Sequence, residues 1–199
     1  MRKNGLAGRV RRRFVTTTDS QHSRPVAPNI RNREFWPEDV DQAWVADITY
    51  ISTQSGWVYL AAIIDLKSRM VVGWELADHM RTELIDAALT NALGSRRPGP
   101  DMIHHSDRGS QYASTAFRAR LEERGIRVSM SRRANCWDNA VVESFFGSLK
   151  QELVHGTRWE GLDDARAELH SYIEVFYNRK RLHSSLGYRT PAEVDQAAV

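Results

Sequence analysis

The stretch "WVADITYISTQSGWVYLAAIIDLKSRMVVGWEL" (44–76) decides the fold. Its first ten residues are β-branched and aromatic, which predicts a strand over 44–53. Ser55-Gly56 predicts a tight turn into a nearly all-apolar strand over 57–66, and "KSR" turns the chain into a third strand over 70–76. Three strands joined by short turns make an antiparallel meander. Working outward, the period changes after residue 80. Leu84, Ile85, Ala88, Leu89 and Ala92 recur at helical spacing within 81–93. A short strand over "MIHHSD" (102–107) follows, then a helix over 114–125 with Ser114 as cap and Gly125 as stop, then a strand over 126–131. A long amphipathic helix is predicted over 138–154, capped by Asp138, and a last helix over 162–181 that ends in a basic cluster. The order β-β-β-α-β-α-β-α, with a helix appended, predicts an α/β fold: a mixed five-stranded sheet with helices on both faces and a C-terminal helical extension.

Composition narrows the class. Hydrophobic content of 41% and charged content of 27% are those of a soluble globular protein, and no apolar run approaches the roughly 20 residues a membrane helix needs. Cys136 is the single cysteine, so an internal disulfide and a cysteine-based zinc site are both excluded, and the expectation is a cytoplasmic protein. Charge is unevenly spread. Residues 1–35 hold nine Lys or Arg and two acids, so that segment carries +7 and the rest −4. A basic arm of this kind binds nucleic acid through phosphates or is a solvated tail; composition alone does not choose.

Three carboxylates stand in unusual places. Asp47 lies inside the first strand among Ala, Val and Ile, where an acid is costly without a partner. Asp107 ends the fourth strand, just before a Gly turn, and first and fourth strands are often neighbours in a sheet of this order. Glu143 lies between Val141–Val142 and Phe145–Phe146, close to helix core positions. Each has a bland reading: a buried arginine partner for Asp47, turn chemistry for Asp107, the wet side of a helix for Glu143. If they converge, three like charges need cations to stay ionised together. Oxygen-only ligands favour Mg²⁺ or Mn²⁺, and two such ions suit in-line phosphoryl displacement. Asp65 closes the second strand and is read as a turn acid. His104, His105 and Gln111 flank the candidate site without an assigned role.

Spacing adds to this. Asp47 and Asp107 are separated by 59 residues, and Asp107 and Glu143 by 35. This arrangement resembles that of the DDE transposases and retroviral integrases. The words "WVADITYI", "YLAAIIDLKSRMVVGW", "HHSDRGSQY", "SMSRRANCWDNAVVESFFGSLKQEL" and "YNRKRLHSSLGYRTPAE" resemble the integrase-core proteins of the bacterial insertion sequence three family, from about residue 25 to about residue 195. The resemblance implies an RNase H-like core, and a catalytic metal-binding triad of Asp47, Asp107 and Glu143 holding Mg²⁺ or Mn²⁺, two ions in all. It implies that water attacks a phosphodiester at the element's end to free a 3′-hydroxyl, which then attacks another phosphodiester. It further implies that Lys150, seven residues after Glu143 on the same helix face, contacts DNA beside the metals, with Asn139 near that face. "YNRKRLHSSLGY" (177–188), with its basic cluster Arg179, Lys180 and Arg181, is read as a DNA or partner contact at the surface rather than core.

The organisation expected is a basic arm over 1–35, a catalytic core over 36–154, and a C-terminal helix and basic tail over 155–199. The opening "MRKNGLAGRVRRRF" looks like the tail of the helix-turn-helix region that usually precedes such cores. Expected partners are transposon-end and target DNA, an upstream-encoded helix-turn-helix protein, and further copies of the chain on DNA, in a bacterial, nucleoid-associated setting with no membrane. Two rival readings remain: a catalytically silent DNA-binding remnant acting as a regulator, and a plain RNase H-like nuclease. Metal-dependent nicking separates the first rival, and strand joining the second.

Overall fold

The computed structural model describes residues 27–30, 37–131 and 139–198. Most of the basic arm, Cys136 and the predicted Asp138 cap lie outside the described residues.

The meander forms as the β-branched and apolar runs and their short turns predict: β1 (Ala43–Thr53), β2 (Gly56–Asp65) and β3 (Val71–Ala77) pair antiparallel in sequence order. β4 (Ile103–Ser106) then adds parallel to β1, and β5 (Arg127–Met130) parallel to β4. The sheet order is β3-β2-β1-β4-β5, so the strand order, descending from β3 to β1, reverses at the β1/β4 boundary while the two strands there run parallel.

Both faces are covered. On one side, α1 (Thr82–Ser95) and α2 (Thr115–Glu122) bury Leu84, Ile85, Leu89, Phe117 and Leu121 against Trp44, Ala46, Ala61 and Ile63. On the other, α3 (Ala140–Glu152) and α4 (Leu162–His170) bury Phe145, Leu149, Ala165 and Leu169 against Val45, Leu60, Ala62 and Ile64. α1 packs so closely that a Cβ on Gly73 of β3 would stand 2.5 Å from the Ala88 carbonyl oxygen and 2.6 Å from the Ala92 Cβ. Among the described residues no helix is long and apolar enough to cross a membrane.

The last predicted helix departs from a plain α-helix over 162–181. After α4 the chain widens into a π-helical segment, Ser171–Tyr177, closed by the Asn178 N–H donating to the Ile173 carbonyl at 3.0 Å. Such segments are uncommon and local. Here the wider turn brings Tyr172, Ile173, Tyr177 and Asn178 inward together. The expectation that 177–188 is surface therefore needs correcting, because Tyr177, Asn178 and Leu186 are buried. Asn178 completes the β3 edge: its Oδ1 accepts from the Val71 N–H and its Nδ2 donates to the Val71 carbonyl, each at 3.0 Å. A final helix, α5 (Pro191–Gln196), had a legible signal: Thr190 and Glu193 form a capping box with Pro191 in the first turn. At α2, Ser114 occupies the cap position, but its hydroxyl makes no cap bond.

Asp65 does more than turn the chain. Buried, it accepts from the N–H groups of Asp41, Lys67 and Ser68 and from the Ser68 hydroxyl, tying the β1 entry to the β2–β3 turn.

Replacing Asn178 with alanine removes both bonds to Val71 and leaves two buried backbone groups unsatisfied, at about 1–3 kcal/mol each. The expected loss is about 2–6 kcal/mol, read as a lower urea midpoint at unchanged slope.

Candidate active site

The β1–β4 pairing runs from Ala43↔Ile103 to Ala46↔Ser106 and stops. Asp47 and Asp107 are the next residue on each strand. In parallel strands about 4.8 Å apart, two residues one step past a shared register stand side by side. They do so at the carboxyl ends of parallel strands where the strand order reverses, the place where open α/β sheets present their sites. Asp47, Asp107, Ile48, Met80, Gly109, Gln111 and Tyr112 line a common cleft.

Each carboxylate is aimed by the backbone. The Ile48 N–H donates to Asp47 Oδ1 at 2.8 Å, and the Gly109 N–H to Asp107 Oδ1 at 2.8 Å. The turn after β4 exists for that second bond: an acid followed two residues later by an available N–H is an Asx turn.

The electrostatics follow. Burial first, then the charge of Asp107, then that of Glu143, push the Asp47 carboxyl well above the usual carboxylate range, against the Ile48 bond and Lys150. The Tyr112 phenol is driven up by burial and by both aspartates. Glu143, in the first turn of α3, is half-buried and is pushed up by burial. It influences Asp47 less than Asp107 does and stands outside the cleft lining. As placed, no group of three or more acids, histidines or cysteines among the described residues is close enough to hold an ion. The donor set nevertheless suits a hard divalent cation: oxygen ligands only, unlike zinc sites, and like charge that a cation would neutralise.

The flanking residues sort differently. His104 is buried against Phe117 and Tyr112, neither ring nitrogen has a hydrogen-bond partner, and burial lowers its pKa to about 4. His105 spans Ser129 at 2.9 Å and Ser131 at 3.2 Å, stitching β4 to β5. Gln111 donates to the Met80 carbonyl at 2.8 Å, closing one wall of the cleft. All three are thus occupied with the fold.

Of the residues expected to meet DNA, Lys150 is close enough for its charge to act on Asp47. Burial lowers its pKa, the Asp47 charge opposes that, and its Nζ sits 4.6 Å from the Tyr50 ring centroid. Asn139 is buried at the start of α3. Its Nδ2 reaches the Ala46 carbonyl at 3.4 Å, and its Oδ1 is buried with no hydrogen-bond partner, one residue from Asp47. Arg179 and Lys180 are exposed. Arg181 is turned inward: its Nη2 pairs with Glu152 at 2.9 Å and its Nε lies 3.1 and 3.2 Å from the two Glu152 oxygens. Tyr172 donates to the same carboxylate at 2.7 Å. Burial would raise the Glu152 pKa, but the bonds from Arg181 and Tyr172 lower it on balance.

A mixed β3-β2-β1-β4-β5 sheet, helices on both faces and paired acids at the switch point define an RNase H-like integrase core. The comparisons agree. The integrase core domain family matches residues 37–136, and a second integrase core domain family matches 124–191. The chain is 48% identical over 182 residues to an uncharacterized 31 kDa protein of insertion element IS600 from Shigella sonnei, covering 92% of this chain and 67% of the relative. It is 40% identical over 195 residues to transposase InsF for insertion sequence IS3A from Escherichia coli K12, covering 98% of this chain and 68% of the relative. In fold it is similar to a chain of the simian T-cell lymphotropic virus intasome in complex with PP2A regulatory subunit B56 gamma, at TM-score 0.67 and 18% identity, covering 89% of this chain and 60% of that one. It is likewise similar to the HTLV-2 integrase catalytic core domain in complex with magnesium, at TM-score 0.58 and 18% identity, covering 79% of this chain and 98% of that one. The chain belongs to the integrase-core transposases of the insertion sequence three family, DDE-type polynucleotidyl transferases.

A stability signature follows. Because Asp47 has a raised pKa in the folded state, the folded chain holds its proton where the unfolded chain has lost it. Asp47 therefore destabilises the metal-free fold increasingly as pH rises from the ordinary carboxylate value through the raised one. In EDTA, Asp47→Asn should raise Tm at pH 7.5 by several degrees, at about 2–4 °C per kcal/mol relieved, and by much less at pH 4. Equal shifts at both pH values in paired melts would count against the electrostatic origin.

Proposed function

We propose that Asp47, Asp107 and Glu143 together hold the divalent cations of this transposase, Mg²⁺ or Mn²⁺ and two in number, and that the chain cleaves DNA at insertion-element ends and joins the freed strand to target DNA. The observation carrying this is the β1–β4 register, which sets Asp47 beside Asp107 at the mouth of a partly buried cleft. Divalent cations, when bound there, supply the positive charge that stabilises an in-line displacement at phosphorus.

The chain's own residues do the rest. The Ile48 and Gly109 N–H groups fix one oxygen of each aspartate, so little reorganisation is needed when the site is filled. Glu143 is carried in on α3, whose N-terminal partial charge favours a carboxylate in the first turn. Lys150, two turns along the same helix, is placed to meet a phosphate of the strand being cut. Asn139 adds a buried amide oxygen beside the strand end. The chemistry is hydrolysis followed by transesterification. A water oxygen attacks phosphorus and the 3′-oxygen leaves, taking a proton. That 3′-hydroxyl then attacks a second phosphodiester, and the 3′-oxygen of the target strand leaves as a 3′-hydroxyl with the proton given up by the attacking group.

The chain spans 67% and 68% of these two relatives, so the partners also belong to the proposal. They are transposon-end and target DNA, an upstream-encoded helix-turn-helix protein, and further copies of the chain on DNA. Arg179 and Lys180 offer exposed charge for the phosphate backbone. Arg181, paired with Glu152, contributes through the position of α3.

Cleavage and joining of DNA bearing the parent element's ends, with Mg²⁺, test the reading. Asp47→Asn, Asp107→Asn and Glu143→Gln should each abolish both steps while leaving far-UV circular dichroism unchanged. A double variant should lose no more than a single one, because groups acting as a unit fail together. Retained joining in any single variant would remove that residue from the set.

Lys150→Ala should weaken cleavage at low DNA concentration while leaving its Mg²⁺ dependence unchanged, and Lys150→Glu should do worse. Superimposed curves of cleavage against DNA concentration for wild type and Lys150→Ala would make Lys150 a bystander.

A further inference from the structure

Lys150 leads away from the carboxylates to a second feature. Its Nζ lies over the Tyr50 ring, and Tyr50 meets Trp57 edge-on, with ring centroids 5.0 Å apart and planes at 75°. The two aromatics are diagonal neighbours on one face of the β1–β2 hairpin, Tyr50 opposite Tyr59 and Trp57 opposite Ser52. Trp57 is 54% exposed, the one exposed tryptophan among the described residues. A half-exposed indole leaves on the order of 100 Å² of ring out of the core.

This tryptophan is not on a loosely held loop. The Gln54 and Ser55 N–H groups donate to the carbonyls of Trp159 and Glu160 at 2.9 and 3.0 Å, the Ser55 hydroxyl also donates to Glu160, and Thr53 Oγ1 donates to the Gly56 carbonyl at 2.8 Å. The hairpin tip is fastened to the segment between α3 and α4. An aromatic face is held rigidly outward, with a cation at one end of the pair.

We propose that Tyr50 and Trp57 form a stacking platform for unpaired nucleobases of the DNA strand whose phosphate lies at the Asp47–Asp107 cleft. Rigid aromatic faces next to a lysine are what single-stranded nucleic acid recognises: bases stack in a sequence-tolerant way and the cation meets the backbone. Paired bases inside a duplex offer edges and phosphates but no faces. Along β1, Tyr50 is about 10 Å from Asp47, and Ser52, opposite Trp57, about 17 Å, at ~3.3 Å per residue. That span matches roughly three to five nucleotides at ~3.4 Å per step. The inference rests on the DNA-processing reading above and deepens it: the form of DNA held beside the cleft is a locally opened end.

The test uses the full chain in EDTA, so that no chemistry intervenes. Two fluorescently labelled DNAs of equal length are compared by anisotropy, one fully paired and one with five unpaired nucleotides at the end. Wild type should bind the frayed DNA about tenfold more tightly. Trp57→Ala should lose that preference while its affinity for paired DNA stays within about twofold, and Trp57→Phe should retain most of it. If Trp57→Ala keeps the full preference, or wild type binds both DNAs equally, the platform is overturned while DNA binding stands. If wild type binds neither DNA, the DNA-processing reading falls and the platform with it. If Trp57→Ala changes the sedimentation coefficient of the DNA-free chain and keeps the preference, the face joins copies of the chain and the proposal is overturned.

Discussion

The parallel register between β1 and β4 is the constraint on which the site depends. It ends at Ala46↔Ser106, which forces two aspartates into adjacency at a sheet boundary. That adjacency is unfavourable in the empty protein, as the raised Asp47 pKa records. The rest of the molecule resists the three obvious ways of relieving it. β1 cannot slide, because residues on its two faces belong to two separate cores, and a one-residue slip would exchange them. Asp107 cannot swing out without losing the Gly109 N–H, nor β4 leave without breaking His105 from Ser129 and Ser131.

The second requirement is that α3 arrive at a fixed angle, since it carries Glu143 at one end and Lys150 near the other. Its C-terminal end is fastened by Glu152, which accepts from Tyr172 and Arg181, while Arg181 also reaches Ser148. The π-helical segment makes this possible by bringing Tyr172 and Tyr177 inward, and Asn178 fixes the same segment to β3. A chain of specific bonds thus runs from the β3 edge to the helix that carries the third acid.

Much of this was legible in the sequence where the signal was local. β-branched and apolar runs split by short turns located β1, β2 and β3, helical spacing located α1 and α3, and the β-β-β-α-β order placed β1 beside β4. Of the three acids at odd positions, Asp47 and Asp107 line the cleft, and Glu143 stands outside its lining. The remainder was hidden because it depends on partners distant in sequence. Asn178 bonds Val71 across 107 residues, and Arg181 finds Glu152 across 29, so neither pairing has a local signature. The π segment follows from what must be buried after α4, and no propensity marks it. Asp65 looked like a turn acid because its turn bonds are local, whereas its bond to the Asp41 N–H comes from a different strand's approach. The α5 capping box is the exception, a local signal that was passed over.

The stand-off of Glu143 follows from the same electrostatics. Were it as close as Asp107, three part-buried carboxylates would share one cleft, and protonation would be the only relief in the absence of a cation. Placing two acids on strands and the third on a helix anchored at its far end separates the roles. The strand pair holds its position through backbone hydrogen bonds that cannot slacken. Glu143 sits nine residues from the Glu152 anchor, about 13 Å along the helix. Val142, Phe145 and Leu149 hold α3 against the sheet, so the third acid keeps its distance from the strand pair while the helix that carries it is fixed. That separation keeps like charge apart in the metal-free fold, and on the reading proposed above a cation would be what makes one site of the three acids.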